Sequence, residues 1–406
     1  MQLPDLFIRN TREIMGEHRF QQYLESFNEA APVSIRLNPL KIESGEWTVK
    51  GGEPVPWCRN GYYLPTRPNF TMDPLLHAGC YYVQEAASMF LDQVLRQMVN
   101  SKYSTCLDLC AAPGGKSTLL RTALPEDCLL YSNEPIRQRA NILFENITKW
   151  GYPNCIVTNN YPEVYRKSKL IFDLILCDVP CSGEGMFRKD EATIREWSPQ
   201  NVERCWQLQR NIVADAWACL SDGGLMIYST CTFNTKENEE NIRWICEEYD
   251  AEVLPIDVKP EWNITGSLLP GFSAPVYRFI PGISRGEGLF MCVLRKRPTP
   301  APSLLREGRH NPKPVPRGLS ILPSIDREGA GVSIPLSYPQ AIAYLRGEAI
   351  VLPPDAPRGI VEVSFMGHGL GTVKNIGTRA NNLYPKEWRI KTTHIPTDYE
   401  TILEHT

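Results

Sequence analysis

The sequence predicts an α/β protein built on a doubly wound, mainly parallel sheet, with a second, smaller β-rich domain at its C-terminal end. Three observations predict it. From Thr105 onward, short apolar runs alternate with helical segments, as strands and crossover helices of a parallel sheet do. Several of those runs end in turn chemistry: the Gly-rich stretch Cys110–Lys116, the stretch Asp178–Gly185 (DVPCSGEG) and the stretch Ser229–Phe233 (STCTF). After Lys296 the composition shifts to proline and then returns to apolar alternation.

Residues 1–100 form an N-terminal region of mixed helix and strand. Leu6, Ile14, Phe20, Tyr23, Leu24 and Phe27 recur at helical spacing in a polar stretch. Ser34–Asn38 alternates as a strand does, and Pro39 closes it. Pro54 to Tyr63 reads as an aromatic and basic loop region, in which Trp57 is expected to serve the core. The segment from His77 leads into an amphipathic helix running through Met89, Val94 and Met98.

Residues 101–297 carry the alternating pattern. Strands are expected at Thr105–Leu109, Cys128–Asn133, Cys155–Thr158, Phe172–Cys177 and Leu225–Ser229, with helices such as Arg137–Trp150 and Val202–Leu220 between them. Leu289–Leu294 adds one more strand, expected near an edge and antiparallel. Residues 298–330 read as a Pro-rich linker, with six prolines between 298 and 316. Residues 331–406 read as a β-rich domain, and Lys374–Lys391 there holds five basic residues against the single acid Glu387. Such a run is a candidate RNA-binding face or an ordinary solvated one.

The totals narrow the function classes. At 406 residues the chain has room for two or three domains. A formal net charge of -3 gives no global signature of a nucleic-acid binder, so such a partner would meet local patches. Thirteen cysteines without a secretory leader pattern point to a reduced, cytoplasmic protein. No apolar stretch approaches a membrane span, so no membrane partner is expected. No metal is expected either, because the C-x3-C pairs lack a partnering CxxC or HxxxH.

Chemistry concentrates at strand ends, where open α/β sheets bind ligands. Cys110, Ala111, Ala112, Pro113, Gly114, Gly115 and Lys116 form a small-residue turn opening a helix, which lets backbone amides approach an anionic ligand. It is neither the phosphate-binding GxxxxGK[ST] nor the dinucleotide GxGxxG. Glu134 ends the next strand nineteen residues past Gly115, where a carboxylate suits ribose hydroxyls. Asn159 and Asn160 end the third, with amides suited to an adenine edge. The strand at Phe172–Cys177 delivers Asp178 and, three residues on, Cys181. Cys231 stands at the end of another strand. A thiol can act as nucleophile, and a carboxyl can supply a proton or hydrogen bond. Which of the two thiols attacks is open on these grounds. Lys189 is a candidate to lower a thiol pKa or hold a phosphate, or a solvated surface lysine.

CAAPGGKST, DVPCSGEG and STCTF, in that order, resemble the NOL1/NOP2/Sun group of RNA cytosine-5 methyltransferases. His77–Glu85 and Arg285–Phe290 resemble further segments of the group, so the likeness runs from the N-terminus to about residue 297. The linker and Gly377–Pro385 resemble its bacterial 16S rRNA branch, which carries a C-terminal PUA-like RNA-binding domain. The resemblance implies a Rossmann-like catalytic domain, S-adenosyl-L-methionine as cofactor, and a pocket lined by residues 110–116, Glu134, Asn160 and Asp178. It implies Cys231 as nucleophile toward C6 of cytosine, Cys181 as assistant in product release, and Asp178 beside the ring. Two departures stand out: Asn159-Asn160 where the group often has Asp, and Pro281-Gly282 where it commonly has Pro-His.

The expected partner is RNA: ribosomal RNA, in some form of the small ribosomal subunit, or tRNA as the alternative substrate. A base must leave its stack to reach such a pocket, which favours unpaired RNA. A rival from another class is a non-catalytic RNA-binding ribosome assembly factor, against which the intact set Asp178, Cys181 and Cys231 argues. An amino-group methyltransferase would carry Asn/Asp-Pro-Pro-aromatic where this chain has DVPC.

Overall fold

In the computed structural model, which describes residues 2–43, 46–298, 319–322, 333–392, 399 and 401–405, Gly16 divides the first helical stretch in two. Its φ of 75° and ψ of 159° end α1 (Asp5–Met15) and let α2 (Glu17–Glu25) start in a new direction. Phe7, Met15, Phe20 and Tyr23 then pack on Phe187, Trp197 and Phe233. The N-terminal helices thus rest on the loops that follow DVPCSGEG and STCTF.

The N-terminal sheet comprises β1 (Val33–Leu37), β3 (Glu53–Pro54), β4 (Gly61–Leu64) and β5 (Tyr81–Val83) in the order β3-β4-β1-β5, while β2 (Trp47–Val49) pairs elsewhere. α3 (Pro74–His77) precedes β5 and α4 (Phe90–Met98) follows it. The stretch expected as a loop therefore contains a strand: β4 places Tyr63 and Leu64 in the interior beside β1. Trp57 serves the core as expected, 2% exposed, its Nε1 donating to the Ala86 carbonyl at 2.7 Å.

β1 also carries a buried charge. Arg36 donates to Gln84 Oε1 at 2.8 Å and to Thr118 Oγ1 at 2.6 Å, and its guanidinium lies 4.4 Å from the centre of the Trp150 ring. Burial pulls its pKa down to about 10, so it stays cationic and holds the N-terminal sheet against the central domain.

The central sheet follows the predicted alternation: β6 (Thr105–Asp108), α5 (Gly115–Ala123), β7 (Leu129–Asn133), α6 (Arg137–Trp150), β8 (Cys155–Thr158), α7 (Pro162–Ser168), β9 (Phe172–Asp178), α8 (Glu191–Glu196), α9 (Pro199–Ala218) and β10 (Leu220–Thr230). Then come α10 (Glu239–Tyr249), β11 (Ala251–Leu254), β12 (Tyr277–Phe279) and β13 (Leu289–Lys296). The order is β11-β13-β10-β9-β6-β7-β8, with β8 to β10 parallel through β6. From β6 the chain winds outward to β8, then crosses back to β9. The carboxyl ends of β6 and β9 form the crevice where such sheets bind ligands.

β13 meets its expectation: it is antiparallel to β10 and lies one strand in from the edge. Its eight residues are long enough for two short strands, β12 on Leu289–Met291 and β11 on Val293–Lys296, to share its outer side.

Beyond the linker, β14 (Ser333–Pro335), α11 (Tyr338–Leu345), β15 (Gly359–Phe365), β16 (His368–Asn375) and β17 (Ala380–Asn382) form a second four-stranded sheet in chain order. β18 (Leu403–His405) crosses to pair antiparallel with β2. The two small sheets share one core, in which Ile35, Leu75 and Tyr81 pack with Ile334, Leu345 and Phe365. Most of the expected linker lies outside the described residues, but 319–322 runs antiparallel beside β8, Leu322 N donating to the Val157 carbonyl at 3.0 Å. No helix among the described residues is long and apolar enough to cross a membrane.

Candidate active site

β6 ends on a carboxylate, and the chain turns at once through Cys110–Lys116 into α5. Gly114 adopts φ 119°, where a side chain is strained, and a Cβ there would sit 3.3 Å from Leu143 Cδ1. α6 pins the turn from outside: Arg139 donates to the Ala112 carbonyl at 2.9 Å and Asn146 to that of Pro113 at 2.8 Å. Asp108 is fully buried, with one oxygen accepting from Ser117 Oγ at 2.6 Å and the other taking no hydrogen bond. Burial, partly opposed by Ser117, pushes its pKa up to about 7. Sequence reasoning missed Asp108; the available signal was a lone carboxylate in an apolar strand just before the turn.

Glu134 stands at the end of β7 as expected. Oε1 accepts from Ile136 N at 3.1 Å, and Oε2 is buried without a hydrogen bond, 3.4 Å from Arg139 Nη1. Two buried carboxylate oxygens, on Asp108 and Glu134, thus lack donors beside a turn of small residues. An adenosyl cofactor carries hydroxyl and ammonium donors of the kind they lack, so the donor set fits S-adenosylmethionine.

Asn159 and Asn160 are spent otherwise. Asn159 Nδ2 donates to the carbonyls of Glu134 and Pro135 at 2.7 and 2.9 Å. The Asn160 side chain exchanges two bonds with the Ser320 backbone, at 3.2 and 3.1 Å. Its amide therefore ties the linker segment 319–322 to the end of β8, a role that local sequence gives no means to foresee.

β9 and β10 deliver the candidate reacting groups side by side. Asp178 Oδ2 lies 2.9 Å from Lys116 Nζ, and Oδ1 accepts from Ser229 Oγ at 2.6 Å. Burial alone would lower the Lys116 pKa, but the Asp178 charge, its hydrogen bond and the Cys231 sulfur raise it on balance. Cys181 Sγ and Cys231 Sγ are 3.1 Å apart, and the Cys231 amide donates to Cys181 Sγ at 3.3 Å. The hydrogen bond with Cys231, reinforced by burial, pushes the Cys181 pKa well above the usual thiol range. Structure thus brings together Lys116, Asp178, Cys181 and Cys231, all named from sequence.

Two buried carboxylates that sequence reasoning missed hold the thiol loops in place. Glu184 Oε2 accepts from Thr232 Oγ1 and from the amides of Phe233 and Asn234 at 2.7–2.8 Å, and Oε1 accepts from Trp197 Nε1 at 2.9 Å. Glu237 accepts from the Ser182 amide at 3.0 Å and from Gln209 and Asn234 at 2.7 Å. Burial, against those donors, raises the Glu237 pKa to about 7. Gly185 and Gly288 let the two loops cross in contact: a Cβ on Gly288 would stand 2.4 Å from Gly185 Cα.

The family model described as 16S rRNA methyltransferase RsmB/F matches residues 96–295, the N-terminal domain of 16S rRNA methyltransferase RsmF matches 3–86, and the methyltransferase RsmF PUA domain matches 332–390. Ribosomal RNA small subunit methyltransferase F of Photobacterium profundum is 32% identical over 312 residues, covering 72% of this chain and 64% of that protein. Its namesake from an Escherichia coli strain is 33% identical over 316 residues, covering 72% and 63%. The matched part therefore spans under two thirds of those relatives' length. Among solved structures, a methyltransferase homolog protein from Pyrococcus horikoshii is 26% identical at a TM-score of 0.60, covering 72% of this chain and 95% of that one. NSun6 from Pyrococcus horikoshii with SFG, at 18% identity and a TM-score of 0.60 over 72% of this chain and 98% of that one, shares the fold. With three family models matching successive parts of it and relatives at about one-third identity, the chain belongs to the RsmB/F family of methyltransferases.

Proposed function

We propose that the protein methylates C5 of a cytosine in 16S ribosomal RNA, using S-adenosyl-L-methionine and a transient covalent bond from Cys231 to C6 of the base. The observation that carries the reading is the pair of thiols 3.1 Å apart beside the Asp178–Lys116 ion pair. A non-catalytic binding factor has no use for that arrangement.

C5 of cytosine is a weak nucleophile. Addition of Cys231 Sγ to C6 breaks the C5–C6 double bond and turns C5 into the nucleophilic carbon of an enamine. The addition leaves negative charge on N3, which takes up a proton carried by the Asp178 carboxyl; Lys116 Nζ, 2.9 Å from Asp178 Oδ2, is the donor that reloads it, and Ser229 holds the other oxygen. When bound, S-adenosylmethionine supplies the electrophilic methyl group that C5 takes up. Asp108, Glu134 and the turn 110–116 would hold it. The proton on C5 then passes to solvent, its C–H electron pair restores the double bond and expels Cys231 as a thiolate, and the Cys181 thiol at contact distance gives that thiolate a proton.

By this reading residues 1–100 and 331–406, whose sheets share one core, together grip the RNA beside the catalytic domain 101–297, and the substrate is presented within the small ribosomal subunit. The test is to incubate Cys181→Ala and Cys231→Ala with 16S rRNA and cofactor. Cys181→Ala is expected to accumulate a protein–RNA adduct on a denaturing gel, whereas Cys231→Ala forms neither adduct nor 5-methylcytosine. Absence of 5-methylcytosine with the wild type on both naked rRNA and small subunits would overturn the reading.

A further inference from the structure

A groove of about 1060 Å³ lies between the N-terminal sheet and the loops that run on from the thiol site. Its floor comes from the ends of β1, β4 and β5, and its far wall from Arg188, Lys189 and Arg285. It is distinct from the Gly-rich pocket but adjoins it through Gln84. A Cβ placed on Gly115 would be 3.5 Å from Gln84 Nε2, and Lys116 of the ion pair is the next residue.

Gln84 is 6% exposed, and its Oε1 accepts from Arg36. Because Arg36 can only donate, the amide orientation is fixed. Nε2 is then a buried donor without an acceptor among the described residues. Native structures rarely leave such a donor without a use. On the rim, Arg67 and Lys189 are exposed and neither makes an ion pair among the described residues. Arg285 lies 4.0 Å from the centre of the Tyr63 ring and pairs with Glu53. Of the two acids lining the groove, Glu85 is engaged by the amides of Ser88 and Glu287, and Glu29 is exposed.

We infer that this groove seats the unpaired RNA strand next to the target cytosine, with Gln84 Nε2 donating to the base of the adjoining nucleotide and Lys189 and Arg67 meeting its phosphates. The inference rests on the RNA methyltransferase reading and adds to it the path of the strand and a residue that reads sequence. Cations meet phosphate without regard to sequence, whereas a single fixed donor accepts only a base edge that offers an acceptor. Gln84 is therefore the specificity residue and the rim pair sets affinity.

The experiment measures binding of the full chain to protein-free 16S rRNA across a salt series, beside cofactor binding and thermal melting. Arg67→Gln/Lys189→Gln is expected to flatten the slope of log K against log salt by about 1.4, the loss of two single-strand phosphate contacts. Glu29→Gln, which removes the unengaged acid, is expected to tighten binding. Gln84→Glu keeps an acceptor for Arg36 but replaces the donor with a second acceptor and places a carboxylate against Arg36. It is expected to bind about tenfold more weakly and to change the nucleotide preferred beside cytosine in a random-sequence RNA pool. Cofactor binding by the rim variants should match that of the wild type. An unchanged salt slope in the rim variant, in a protein whose wild type methylates RNA, overturns the groove while leaving the reaction intact. A wild type that binds cofactor but no RNA overturns both.

Discussion

The sulfur of Cys181 lies 3.1 Å from that of Cys231, and the Cys231 amide points at the same Cys181 sulfur. The contact joins the ends of two neighbouring parallel strands, where Tyr228 is in register with Cys177 and Ser229 with Asp178. The raised Cys181 pKa keeps a proton at that sulfur, as the proposed role in release requires. Turnover is expected to fall by about 10³-fold or more in either Ala variant. Only Cys181→Ala should hold RNA covalently, as read from adduct per mole of protein.

Lys116 is expected to matter through charge. Lys116→Met leaves Asp178 with Ser229 as its remaining partner and removes the cation near Cys231. Adduct formation in a Cys181→Ala background should slow by about 10²-fold. Lys116→Arg should recover part of the rate, and a Met variant as fast as its parent would remove Lys116 from the mechanism.

Asp108 and Glu237 give the fold a pH dependence of definite sign. Their pKa values rise from 3.8 and 4.5 to about 7 in the folded chain, in both cases chiefly by burial. The folded state then binds more protons than the unfolded one between about pH 4 and 7. Their contribution to stability is fully present below that window and is lost as pH rises through about 7. Urea midpoints from pH 5 to 8 should therefore fall with rising pH. Asp108→Asn and Glu237→Gln should each flatten the decline by on the order of 2–3 kcal/mol.

Arg36→Met is expected to destabilise the chain by about 3 kcal/mol. It strands the Gln84 and Thr118 acceptors and uncovers the Trp150 ring. A lowered melting temperature together with weakened cofactor binding would distinguish this from a local effect, because Arg36 also contacts the Gly115 carbonyl at 3.3 Å.

The strand-end chemistry was legible because turn residues, thiols and carboxylates are local in sequence, and the sheet fixes which ends converge. Asp178, Lys116, Cys181 and Cys231 all fall where the alternation of strands and helices puts them. What could not be read depends on partners far along the chain. Asn160 looks like an adenine contact until Ser320, 160 residues away, takes both its amide groups. Arg36 reads as one polar position in a short strand, and only packing against α5 and α6 reveals it as a buried cation. Glu184 and Glu237 look like surface acids in loops, yet their donors are backbone amides and distant side chains that only the folded chain brings together. β13 was legible as an antiparallel strand near the edge, whereas β11 and β12, which share its outer side, were not.

The shared core of the two small sheets also governs how the chain is made. Asp73, 3% exposed, accepts hydrogen bonds from Tyr81 beside it in sequence and from Tyr399 near the far end. Trp47, Thr48 and Val49 find their strand partners only in His405, Glu404 and Leu403. Until residues 333–392 have been made, the apolar face formed by Ile35, Leu75 and Tyr81 lacks Ile334, Leu345 and Phe365, although the central domain can already close. Synthesis of this protein therefore passes through a stage in which an early sheet waits, sticky and half-built, for one some 300 residues later, and chaperone demand should peak there.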